Sequence, residues 1–113
     1  MNKLALSLAG ITLAVGFASA DNLRLSTDVA VFSKPVKEAE CIEKASAAIT
    51  AQKFTASDAP HAKAGKRADM VVMVDCLQSW NANAAHISVA YVSAKPDDAT
   101  AAVAAIKKSL EAK

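Results

Sequence analysis

Two cysteines behind an apparent export leader constrain this chain more than any other feature. Lys3 supplies a positive start, an apolar run extends from Leu4 to Phe17, and Ala18-Ser19-Ala20 is a small-x-small cleavage site before Asp21. That pattern reads as a secretory signal peptide over residues 1–20. The apolar run is shorter than the ~20 residues a membrane span needs, and no basic stop-transfer cluster follows it. Residues 21–113 then read as one small domain in the periplasm or in the secreted medium, with no membrane span. In an oxidising compartment the pair Cys41 and Cys76 is most simply a disulfide. A loop of that length stabilises a fold by roughly 3–4 kcal/mol in the chain-entropy model. A thioredoxin-type centre would need C-x-x-C and covalent haem would need C-x-x-C-H, and the sequence has neither.

Hydrophobic periodicity predicts the elements that the pair would join. Leu23 to Phe32 alternates as a strand, with Leu23, Leu25, Thr27, Val29 and Val31 on one face. Ser33 and Pro35 read as a cap and a first-turn proline for an amphipathic helix over 34–52, with Cys41 beside its apolar stripe of Ile42, Ala45 and Ile49. A short strand is expected at 54–56. Asp58, Pro60 and Gly65 punctuate 57–67, which reads as a basic loop carrying His61, Lys63, Lys66 and Arg67. Met70 to Trp80 is the clearest strand. A turn at 81–83 leads to a second strand over 86–94, making an antiparallel hairpin. Pro96 opens a last helix, with Asp97 or Asp98 as cap and Ala99, Ala102, Val103, Ile106 and Leu110 as its stripe. The order β-α-(β)-β-β-α implies an α+β two-layer sandwich: two helices on one face of a small, mainly antiparallel sheet, pinned by one disulfide.

Composition excludes several functions. The 13 Lys+Arg against 11 Asp+Glu give a net charge of +2, too balanced for a nucleic-acid footprint. Gly65 is the only glycine after the leader, so no Gly-rich phosphate loop exists. G-x-S-x-G, H-E-x-x-H and the P-loop are missing, and nothing in the Ser, His and Asp spacing favours a triad, so no catalytic residue is assigned.

What remains is a surface. If Cys76 faces the helices, then Val71, Met73, Asp75 and Leu77 face away from them. Three of those four are apolar, and exposed apolar patches mark association sites, here for a protein partner or a second copy. The leading expectation is a non-catalytic binding or accessory protein without a cofactor. The alternative is a carrier or sensor of a hard cation of calcium or lanthanide type. Asp75, Asp69, Asp97 and Asp98 would be its oxygen ligands, with the site possibly shared across a dimer. His61 and His86 lack zinc spacing, and Met70 and Met73 point to opposite sides of a strand, which argues against soft-metal binding. Trp80 and Tyr91 are single aromatics near strand ends, where packing is the commoner role.

Overall fold

The computed structural model describes residues 23–76 and 83–112. The expected leader, Leu77, Trp80 and most of the expected 81–83 turn lie outside the described residues. Five strands and two helices follow one another as β1 (Arg24–Val31), α1 (Glu38–Ala51), β2 (Thr55–Ala59), β3 (Ala62–Arg67), β4 (Met70–Asp75), β5 (Ala84–Tyr91) and α2 (Pro96–Glu111). The strands form one antiparallel sheet in the order β1-β5-β4-β3-β2. This is the α+β sandwich that the periodicity implies, with a longer strand run than expected.

The burial pattern of β4 and β5 shows where the helices sit. Met70, Val72, Val74 and Cys76 are buried, as are Ala85, Ile87, Val89 and Tyr91. Residues between them are half-buried, as period-2 alternation requires of a sheet covered on one side. Ala45, Ala48 and Ile49 of α1 and Val103, Ile106 and Leu110 of α2 fill the same core. α1 lies against β2, β3 and β4, while α2 lies against β1 and β5. Each fully buried Val, Ile or Leu contributes about 1.5–3 kcal/mol, so this layer carries most of the stability. Cys41, in the first turn of α1, is bonded to Cys76 just beyond β4, with Cα atoms 5.9 Å apart. The bond ties the start of the helix to the end of the central strand.

Three sequence expectations are corrected. The segment 57–67 is not a loop; it holds most of the β2–β3 hairpin, closed by Pro60 and His61. His61 sits at φ 56°, and the Cys76 N–H donates to its carbonyl at 2.8 Å. Gly65 is not a loop breaker, because it lies in β3 beneath α1. A Cβ there would stand 2.6 Å from Ile49 Cγ2 and 3.0 Å from Phe54 Cβ. A strand glycine marks such a close approach. The helix caps also differ. α1 starts at Glu38 with Lys37 at the cap, and α2 starts at Pro96 with Lys95, neither with a side-chain cap bond. Ser33, Asp97 and Asp98 therefore do not cap these helices.

α1 ends in a Schellman motif. Lys53 N–H donates to the Thr50 carbonyl at 2.9 Å, and Phe54 N–H to that of Ile49 at 3.2 Å, with Lys53 at φ 70°.

Candidate functional site

Among the described residues no helix lies on the other face of the sheet. The strand register builds it in rows. Leu25, Ala90, Val71 and Lys66 make one row; Thr27, Ser88, Met73 and Ala64 the next; Val29, His86, Asp75 and Ala62 the third. Val71, Met73 and Asp75 are half-buried on this face, opposite the buried residues of β4. Leu77 lies outside the described residues. A shallow hollow of about 330 Å³ opens among Thr27, Val29, Met73, Asp75, His86 and Ser88.

β1 gives this face its apolar character, a contribution that sequence reading did not assign. Leu23, Leu25 and Val31 are 43%, 63% and 60% exposed, the large apolar side chains that stand out in water. On the helix side the same strand carries Ser26 and Asp28, and only Ala30 is buried. The polarity of β1 is therefore inverted relative to β4 and β5. Alternation disclosed the two faces of β1, but period alone does not say which face meets the helices. The inversion is tolerated because Asp28 lies at the margin of α2, where Lys107 Nζ reaches it at 3.5 Å. Asp28 also accepts the Val29 N–H at 2.7 Å. That hydrogen bond, joined by the Lys107 charge, holds its carboxyl below the usual carboxylate range.

On the outer face, at the end of β4, Asp75 and His86 are direct cross-strand neighbours. Opposite residues of an antiparallel pair have Cβ atoms about 4.5–5.5 Å apart, so the pair forms a polar island within an apolar and small-residue surround. Ser88 shares the face, but it stands two residues along β5 from His86, roughly 7 Å away.

The four carboxylates considered for a hard cation do not converge. Asp75 is at the far end of β4 from Asp69, which lies in the β3–β4 turn. Asp69 and Asp98 line a second hollow of about 380 Å³ with Gln52 and Arg67, while Asp97 is exposed in the first turn of α2. Among the described residues no three His, Cys, Asp or Glu side chains gather as metal ligands. Two carboxylates fall short of the 6–8 oxygens calcium takes.

The basic residues at 61–67 are largely committed to neighbours. His61 Nδ1 pairs with Glu38 at 3.1 Å, tying the β2–β3 turn to α1. Lys63 Nζ lies 2.6 Å from Asp58, and this bond keeps the Asp58 carboxyl below its usual value. Arg67 stacks over Phe54 at 4.5 Å and donates to the Gln52 carbonyl. They staple the hairpin rather than forming a basic patch. Among the described residues no helix is long and apolar enough to cross a membrane.

Comparison with protein-family models, with curated proteins and with solved structures finds no match to this chain. Its function is therefore argued from its own residues.

Proposed function

We propose that this chain is a non-catalytic binding or accessory protein that works outside the cytoplasm and engages its partner through the outer face of the sheet. One observation carries the reading. Both helices and the disulfide secure one side of the sheet, while the other side leaves Leu25 and Val31 in water and Val71 and Met73 half-covered. Apolar surface left uncovered in this way is a liability in a lone domain and an asset at an interface. The Asp75–His86 island supports specificity, because a wholly apolar partner would strip water from two polar side chains on burial. The partner chemistry that fits is a protein surface that is mainly apolar, with a polar group to meet the Asp75–His86 pair at the end of β4. The Cys41–Cys76 bond supports an oxidising compartment.

A photo-crosslinking amino acid at Met73 tests the reading in the cell that makes the protein. A discrete adduct is expected, one that disappears when Val71→Lys is added. The same probe at Thr100, on the exposed side of α2, serves as control. No adduct at Met73, or equal adducts at both positions, refutes the reading.

A further inference from the structure

The edge of the sheet offers a site of its own, separate from whatever the outer face binds. Phe32 N–H donates to the Asn83 carbonyl at 2.7 Å, so even-numbered residues of β1 direct their backbone groups toward β5. Odd-numbered ones direct theirs away from the sheet. Two of those outward N–H groups are closed by carboxylates: Val29 by its neighbour Asp28 at 2.7 Å and Val31 by Glu111 of α2 at 2.8 Å. Carboxylates there blunt the C-terminal half of the edge against strand addition. The outward N–H groups of Leu25 and Thr27 carry no such cap among the described residues. Leu23 and Leu25, both exposed, flank this open half.

We infer that the open half of β1 is the docking edge for a second copy of this chain, paired antiparallel about a two-fold axis at Ser26. In that register Leu25 faces the partner's Thr27, and both are outward-pointing, as a hydrogen-bonded pair requires. Each such pair exchanges two N–H···O bonds, and the two-fold repeats it. Even residues then meet as the closer, non-hydrogen-bonded pairs. Arg24 opposes the partner's Asp28, and the reverse, on the helix side of the sheet. Arg24 has no ion-pair partner among the described residues, and Asp28 has only the loose 3.5 Å contact with Lys107. The neighbouring register, centred on Leu25, sets Arg24 against Ser26 and makes no charge pair. Charge complementarity therefore selects both the occupant and the register. The result is one sheet running through both copies, with their outer faces continuous.

Sedimentation of the purified, oxidised protein up to about 1 mM tests this, since a high-micromolar Kd still shows there. A dimer is expected. Arg24→Asp alone and Asp28→Arg alone each weaken it at least tenfold by placing like charges opposite one another. Combining the two restores it. Thr27→Pro removes one outward N–H at an edge position where proline is tolerated, and it abolishes the dimer while circular dichroism stays unchanged. A monomer at every concentration overturns the inference. So does a dimer indifferent to these changes, a double variant no better than the singles, or an edge occupied only by a peptide of another protein. None of these outcomes touches the Met73 crosslinking result, so the two readings fail separately.

Discussion

Gly65→Ala is the substitution that most directly tests how α1 sits on the sheet. In an open strand the change helps: alanine restricts the unfolded chain and stabilises by about 0.4–1 kcal/mol. Here the new methyl stands 2.6 Å from Ile49 Cγ2, 3.0 Å from Phe54 Cβ and 3.2 Å from Val72 Cγ1. Carbon pairs prefer about 3.5–4.0 Å, so α1 must rise by roughly 1 Å. It has little freedom to do so. Ile49 is wholly buried, and the helix is anchored at its start by the Cys41–Cys76 bond. Overpacking of this kind costs about 1–3 kcal/mol, and the tether points to the upper half of that range. A net loss of about 2 kcal/mol lowers Tm by about 8–16 °C in a domain of this size. Ile49→Leu removes the offending γ-methyl at a cost below about 1.5 kcal/mol by itself. The double variant should recover at least about 1 kcal/mol relative to the sum of the singles. Thermal and urea denaturation of the oxidised protein measure all four corners of the cycle. A Tm for Gly65→Ala within a degree or two of the parent, or strict additivity with Ile49→Leu, means that α1 does not rest on β3. The outer face is then assigned to the wrong side.

Other expectations follow from the same contacts. Replacing both Cys41 and Cys76 by Ser releases a cross-link of sequence separation 35 and costs about 4 kcal/mol in the chain-entropy model. Thiol titration of the unreduced parent should find no free sulfhydryl, and two would refute the bond. Lys53→Gly and Ala68→Gly relieve side chains held at φ 70° and 51°, and each raises stability by about 0.5–1 kcal/mol. A loss in either variant contradicts the left-handed geometry. Asp28 and Asp58 have carboxyls held below the ordinary 3.8, by the Val29 N–H with Lys107 and by Lys63 respectively. A carboxyl depressed in the folded state stabilises above its ordinary value and loses that contribution as pH falls through the folded one. Their contribution to Tm is therefore constant above pH about 5 and declines below about 4. The decline should shrink in Asp28→Asn/Asp58→Asn, and an unchanged acid limb would show that the two carboxyls do not carry it.

The sequence disclosed most where one residue property decided one structural question. In β4 strict alternation, ending at Cys76, separated the buried face from the open one. Two cysteines behind an expected leader implied a bond across the layers. Legibility failed where a residue type has two physical uses. Asp58, Pro60 and Gly65 are turn formers by composition. Pro60 and His61 do make the turn, but Gly65 is there because α1 comes too close for a Cβ. Lys63 and Arg67 look like solvated charge, yet they are held by Asp58 and by Phe54 with the Gln52 carbonyl. Ser33, Asp97 and Asp98 are good cap residues that the chain does not use as caps, since α1 starts later than Ser33 and Pro96 starts α2 ahead of both aspartates.

β1 is the most informative failure, because alternation marks its apolar face but not which way that face points. If Leu25 and Val31 served the fold, they would point at the helices; instead they are 63% and 60% exposed. A side chain that still shows more than half its surface keeps well under half of the about 1.5–3 kcal/mol that full burial provides. Leu25→Thr and Val31→Thr should therefore cost less than about 1 kcal/mol each, since threonine has the β-branched shape that strands favour. Ile87→Ala, in the core of the same sheet, should cost about 2–5 kcal/mol. If the two threonine variants melt close to the parent when dilute, yet lose dimerisation or the Met73 adduct, their apolar character serves association rather than folding. A loss above about 2 kcal/mol for either, measured at low concentration where only monomer is present, would mean the outer face is covered from within the chain. The surface offered here for a partner would then already be occupied.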